Sequence, residues 1–188
     1  MIKSIKVRLK PTKQQEVQLW KSVGTMRWAY NWALSMQEEN YKNGGKFISD
    51  NDLRKLITIL KKTEELSWLN EVSNNIPKQA IKDACESYKK FFKKLSDKPR
   101  YKSRRKSRPS FYNDTSKLKV KEDRVLIEKI GWIKVSEKGR MPSGVKYFNP
   151  RITHDNKYWY ISVGIECENI ETEKTGVSLG IDLGIKNL

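Results

Sequence analysis

Side chains that carry much of enzyme chemistry are scarce in this chain: it holds one histidine, His154, and two cysteines, Cys85 and Cys167, in 188 residues. His154 is followed by Asp155, Asn156 and Lys157, a turn-forming run. It therefore reads as a surface residue, and a His-dependent triad has little support. The cysteines lie far apart, with no Cys or His beside them at metal-ligand spacing. That pattern speaks against a zinc site and a disulfide framework, and leaves two buried, reduced thiols as the expectation. Long apolar runs are missing too. Mean hydropathy is -0.77, and no window approaches the roughly 18 apolar residues a spanning helix needs. The start, Met1 to Lys6, alternates charged with apolar residues. A signal peptide would carry a continuous apolar block instead, so the expected location is the cytoplasm. Acidic residues are the last shortage: 22 Asp and Glu face 39 Lys and Arg, a formal net charge of +17. Such an excess repels itself unless counter-charges gather, so a polyanionic partner is expected, nucleic acid ahead of an anionic membrane surface.

What is present is ordered by period. IKSIKVRLK sets Ile5, Val7 and Leu9 on one face and Lys6, Arg8 and Lys10 on the other, the period of a half-buried strand ended by Pro11. Thr12 and Gln15 form a capping-box pattern opening a helix through Val17, Trp20 and Val23. Gly24 is expected to interrupt it, with a second helix through Met26, Tyr30, Ala33 and Leu34 stopping at Asn43-Gly44-Gly45. Ser49 and Asp52 resemble another capping box, before Leu53, Leu56, Ile57 and Leu60 at helical spacing. A further helix is expected with Pro77 at its first position and one apolar stripe from Ala80 to Phe92 and Leu95.

Beyond Pro99 the pattern becomes that of short antiparallel strands, with turn signals at Glu122-Asp123, Lys138-Gly139 and Asp155-Asn156. A lone strand at the start cannot stand in water. It is expected to join the later sheet, plausibly a small barrel, with the helices inserted between barrel strands.

Two stretches are candidates for nucleic-acid contact. In KKFFKKLSDKPRYKSRRKSRPSFYND, the cations Lys98, Arg100, Lys102, Arg104, Arg105, Lys106 and Arg108 stand beside Tyr101, Phe111 and Tyr112, and Asp97 is the only acid before Asp114. So many charges are either solvated or laid on phosphates, and the interleaved rings offer stacking faces as in RNA and single-strand binders. In TMRWAYNWAL, Arg27 and Asn31 are four apart on one helix face. Either they can pair with base edges, or they form the rim of a core covered by Trp28 and Trp32. At the end of the chain, Asp182 sits between Gly180 and Gly184 on the small-residue face of an apolar strand. It is either a metal-binding carboxylate of a phosphotransfer site or an edge-strand residue in water, and a two-metal site needs several such ligands.

GVSLGIDLGIKNL resembles the first motif of the RNase H-like, RuvC-type nuclease domain of TnpB-like (OrfB) proteins of bacterial insertion sequences. IKVRLKPTKQQ, YNWAL, IPKQAIKDACESYKKFF, KPRYKSRRKSRPSF and RITHDNKYWYISVGIE agree in the same order, so the resemblance covers essentially the whole chain. That family, named for transposases, is one of RNA-guided DNA endonucleases. The resemblance implies an α+β fold: a wedge-like antiparallel β-barrel with an inserted helical recognition domain, then the first strand of an RNase H-like domain. Residues 1–10 would be the first barrel strand and 11–98 the helical insertion, helix-turn-helix-like at its start. Residues 99–176 would be the basic linker and the rest of the barrel, and 177–188 the nuclease strand.

By the same resemblance, guide RNA and double-stranded DNA are the expected partners. Lys98 to Phe111 would lie against RNA or duplex backbone, and the helix with Tyr30 and Asn31 near a short DNA motif. Asp182 would be the first catalytic aspartate and a ligand for Mg2+, the cofactor of full-length relatives. The later acidic motifs and zinc ribbon should follow Leu188. The chain is therefore expected to be truncated and not to cut DNA alone, with a separately encoded remainder of the nuclease domain as a further expected partner; a guide-independent helix-turn-helix regulator and a gene remnant are the alternatives.

Overall fold

The computed structural model describes residues 1–168 and Gly180. It contains β1 (Ile2–Lys10), α1 (Lys13–Lys42), α2 (Asp50–Leu60), a 3-10 turn (Ser67–Glu71) and α3 (Asn75–Phe92). Then follow β2 (Ser110–Tyr112), a short 3-10 turn (Thr115–Lys117), β3 (Lys119–Lys121), β4 (Arg124–Ile127), β5 (Gly131–Val135), β6 (Tyr147–Asp155) and β7 (Tyr158–Glu166). The seven strands form one antiparallel sheet in the order β2-β6-β7-β1-β5-β4-β3.

β1 lies in the middle of that sheet because it has two edges to satisfy and one apolar face to bury. It pairs with β7 from Ile2↔Glu166 to Leu9↔Trp159, and with β5 at Leu9↔Val135 and Lys10↔Lys134. Ile5, Val7 and Leu9 point into the core, while Lys6, Arg8 and Lys10 take the other face. Where the sequence pattern predicts a small barrel, the hydrogen-bonded strands run in a linear order with β2 and β3 at its ends. Asn113, just after β2, links β6 to the β4–β5 turn. Its backbone N–H donates to the Pro150 carbonyl, 3.0 Å, and its buried Oδ1 accepts from the Glu128 N–H, 3.2 Å.

Two cores share α1 as a common rod. Leu19 and Val23, with Val72 and Ile76, pack among Phe111, Val125, Ile133, Ile152 and Ile161 of the sheet. Farther along, Ala29, Ala33 and Leu34 pack against Leu53, Ile57, Ala80, Ile81 and Ala84 of α2 and α3. Small residues on both facing helices let α1 and α3 approach closely.

Thr12 caps α1 through a complete capping box with Gln15, and Ser49 caps α2 by accepting from the Asp52 N–H. The expected break at Gly24 does not occur: α1 runs unbroken for 30 residues. A mid-helix glycine costs only about 1 kcal/mol relative to alanine, and burial of α1 in cores on both sides of Gly24 outweighs it. α3 starts two residues before Pro77, which therefore sits inside its first turn, where a missing N–H is still harmless. The apolar stripe also ends early, leaving Phe92 and Leu95 exposed, as is Val17 on α1. Cys85 is buried as expected, whereas Cys167 is only half-buried.

Candidate nucleic-acid interface

α3 hands the chain to the basic segment through a sharp reversal. Lys94 takes a left-handed conformation, φ 57°, while its N–H donates to the Phe91 carbonyl and that of Leu95 to the Lys90 carbonyl. This pair of bonds closes the last turn in a Schellman motif and turns the chain back toward α1. The segment from Lys93 to Pro109 then runs antiparallel to α1 as an irregular strap.

Two residues of α1, Glu38 and Asn31, hold the strap by hydrogen bonds, and they share a face because they lie seven apart. Glu38 binds Lys98 Nζ at 2.9 Å and accepts from Tyr101 Oη at 2.8 Å. Those two hydrogen bonds, Lys98 first, hold the Glu38 carboxyl below its ordinary pKa, and the same pairing raises that of Lys98. Asn31 acts as a two-point clamp. Its Nδ2 donates to the Lys102 carbonyl at 2.9 Å, and its Oδ1 accepts from the Lys102 N–H at 2.8 Å. The Lys102 ammonium then lies over the Tyr30 ring, 4.4 Å from its centroid. Arg27, one turn earlier, borders a cavity of about 190 Å3 with Arg104, Ser107 and Arg108.

The strap is also ordered internally and at its exit. Ser107 Oγ accepts from the Ser103 N–H and Ser103 Oγ from the Lys106 N–H, both at 3.0 Å. Pro109 accepts from the His154 N–H, after which β2 joins β6. Within this frame Arg104, Arg105 and Lys106 are exposed, with no carboxylate within ion-pair distance among the described residues. A row of cations on a backbone pinned at several points suits a chain of phosphates, because the ordering cost is met before any ligand arrives.

The basic surface continues onto the sheet. Asp155 lies 3.7 Å from both Arg108 of the strap and Lys6 of β1. Beyond it Lys6 sits over Tyr160 at 4.3 Å, and Arg8 and Lys157 over Tyr158 at 4.4 and 5.4 Å. These cation–ring pairs escaped the sequence reading, although the alternation of β1 and the run KYWYIS contained the signal. His154 is not the free surface residue expected of a turn: it lies in β6 between Trp20 and Trp159, 4.8 Å from each ring.

Several sequence candidates take other places. Phe111 is 1% exposed in the sheet core and has no free face to stack on a base. Tyr30 is buried in the helical core, and both polar atoms of the Asn31 amide are spent on Lys102, so neither presents a free edge to a base. Arg100 is exposed, and Tyr101 is half-exposed with its hydroxyl on Glu38. Asp182 lies outside the described residues. Among those described, no group of three or more His, Cys, Asp or Glu could hold a metal ion. No described helix is long and apolar enough to cross a membrane.

Comparison with known proteins shows what the chain is similar to. Residues 1–46 match the model of the helix-turn-helix domain of OrfB from IS605. Over the full chain the sequence is 28% identical to the "Putative RNA-guided DNA endonuclease InsQ" of Escherichia coli K12, covering 46% of that protein. It is 30% identical over 99% of the chain to a "Putative RNA-guided DNA endonuclease" of Streptomyces pristinaespiralis, covering 47% of it. The chain is similar to TnpB-like (OrfB) insertion-sequence proteins.

A third relative, the "Putative transposase A625R" of Paramecium bursaria Chlorella virus 1, is 31% identical over 52% of the chain and 24% of its own length. The chain thus spans about half the length of the two longer matches. In it, the segment matched as a helix-turn-helix domain folds as β1 and one helix with no internal turn. Its outer surface carries Trp20 and Arg27, and the strap clamped by Asn31 covers part of it.

Proposed function

We propose that this TnpB-like chain binds nucleic acid for an RNA-guided DNA endonuclease, holding a structured guide RNA along the strap and presenting the helical face beside it to target DNA. The observation that carries the proposal is the strap itself: Arg104, Arg105 and Lys106 are exposed and without ion-pair partners among the described residues, on a backbone pinned to Glu38 and Asn31. The names of the two longer relatives agree with it. Specificity in such a protein rests on base pairing, so the chain needs to recognise backbone and shape more than sequence. Asp182 and magnesium enter only by family resemblance, as the first carboxylate and the ion of a nuclease centre.

The test is binding of a structured RNA across a salt series. With Arg104, Arg105, Lys106 and Arg108 on four phosphates, log affinity should fall with log salt at a slope of about -3. Replacing Arg104, Arg105 and Lys106 together by alanine should flatten that slope by about 2. A salt-independent affinity would refute phosphate contact, and specific duplex-DNA binding that survives RNase treatment would favour a guide-independent regulator.

A further inference from the structure

Nothing among the described residues calls for glycine at position 24. It lies inside a 30-residue helix, where glycine costs about 1 kcal/mol relative to alanine. Its backbone is not in the left-handed region, and a Cβ built on it would meet nothing within 4 Å. Neither conformation nor packing against the described residues calls for it. The remaining physical use of a glycine is to let another group approach the backbone closely.

The space above Gly24 is the 190 Å3 cavity between α1 and the strap. Trp20, Gly24 and Arg27 stand at i, i+4 and i+7 and so face it together. Trp20 is 41% exposed, yet its ring is fixed by contacts with His154 and Trp159 at 4.8 and 4.9 Å, neither of which lines the cavity. The opposite wall brings Arg104 and Arg108, with Lys102 beside them, and no carboxylate among the described residues lines the space. A fixed aromatic wall, a floor without side chain and a cationic rim make a site for a flat, neutral ring attached to an anion.

We propose that this cavity seats one unpaired nucleobase of a single-stranded RNA segment, its ring over Gly24 and against Trp20, with the adjoining phosphates on Arg104 and Arg108. The proposal rests on the RNA-binding function above and gives that surface a subsite. The volume is below the roughly 300–1,000 Å3 of drug-sized sites, which suits one ring system and excludes a stacked base pair. Unpaired bases in loops are the part of RNA that aromatic side chains and guanidinium planes can stack on.

The experiment measures binding of a labelled single-stranded oligouridylate and of a duplex RNA of equal length to the 188-residue chain, alongside thermal melting. Gly24→Ala should raise the melting temperature, and Gly24→Leu, which fills the cavity, should weaken single-strand binding about 10-fold or more while sparing the duplex. Trp20→Ala should match that loss and Trp20→Phe should restore most of the binding, which carries the test if Gly24→Leu fails to fold. Wild-type single-strand affinity in a folded Gly24→Leu, or in Trp20→Ala, would overturn the pocket, as would an equal loss on duplex. If those variants bind normally while the alanine triple at Arg104, Arg105 and Lys106 loses binding, the strap function stands and the pocket alone fails. A wild-type chain that binds neither RNA removes both.

Discussion

Asn31→Ala removes both hydrogen bonds that clamp Lys102 to α1, at 2.9 and 2.8 Å across 71 residues of sequence. Each neutral hydrogen bond is worth about 0.5–1.5 kcal/mol net, and the freed Lys102 backbone groups, only part-buried, can turn to water. The loss should therefore lie toward the lower half of about 1–3 kcal/mol. The strap is anchored beyond the clamp by Lys98 on Glu38 and by the entry of β2 into the sheet, so the change should appear as local opening and not as global unfolding. Amide hydrogen exchange between residues 98 and 108 should speed up about 10-fold, since every 1.4 kcal/mol is a factor of ten, with the sheet amides unchanged. Structured-RNA affinity should fall only by the fraction of chains in which the strap is open, well short of the exchange factor. The reasoning is refuted if exchange in the strap is unchanged. If instead discrimination between DNA sequences were lost with the strap still protected, Asn31 would be a base reader after all.

Three other outcomes follow from the same geometry. Phe111→Ala should cost about 3–5 kcal/mol in denaturant unfolding, as a fully buried core aromatic; unchanged stability with weakened RNA binding would return it to the surface role its sequence neighbours suggest. Because the folded-state pKa of Glu38 is depressed, its tie to Lys98 and Tyr101 contributes stability above the ordinary carboxylate value of about 4.3. That contribution is lost as pH falls through the folded value, so strap protection should be flat from pH 7 to 5 and then fall, a fall that Glu38→Gln should abolish. Burial pushes the Cys85 thiol up to about 11, so thiol reagents at pH 8 should label Cys167 in the folded chain and reach Cys85 only on unfolding.

Much of the fold is legible in local pattern. The alternation of Ile5, Val7 and Leu9 against Lys6, Arg8 and Lys10 requires a half-buried strand, and a solitary strand requires partners, which β5 and β7 supply. Thr12 and Ser49 mark helix starts because a side-chain oxygen must satisfy N–H groups that the helix cannot. Glu122-Asp123 and Asp155-Asn156 mark hairpins for reasons equally local. Gly24 misleads because a small local cost cannot report the two cores that keep α1 straight.

The interface divides along the same line. Composition and run length by themselves determined that residues 98 to 108 form a solvated, cationic segment, since that much unpaired charge cannot be buried at any fold. Only the tertiary structure decided which neighbours of that segment face outward. Phe111 and Tyr30 have the chemistry of stacking residues but fall on core-facing positions, while Trp20, Lys6, Arg8 and Tyr158 are brought beside the strap from distant parts of the chain. Asn31 has the chemistry of a base reader and spends it on Lys102, 71 residues away. Charge acts through its sum and survives any arrangement, whereas a stacking face or an amide edge is available only if packing leaves it unoccupied.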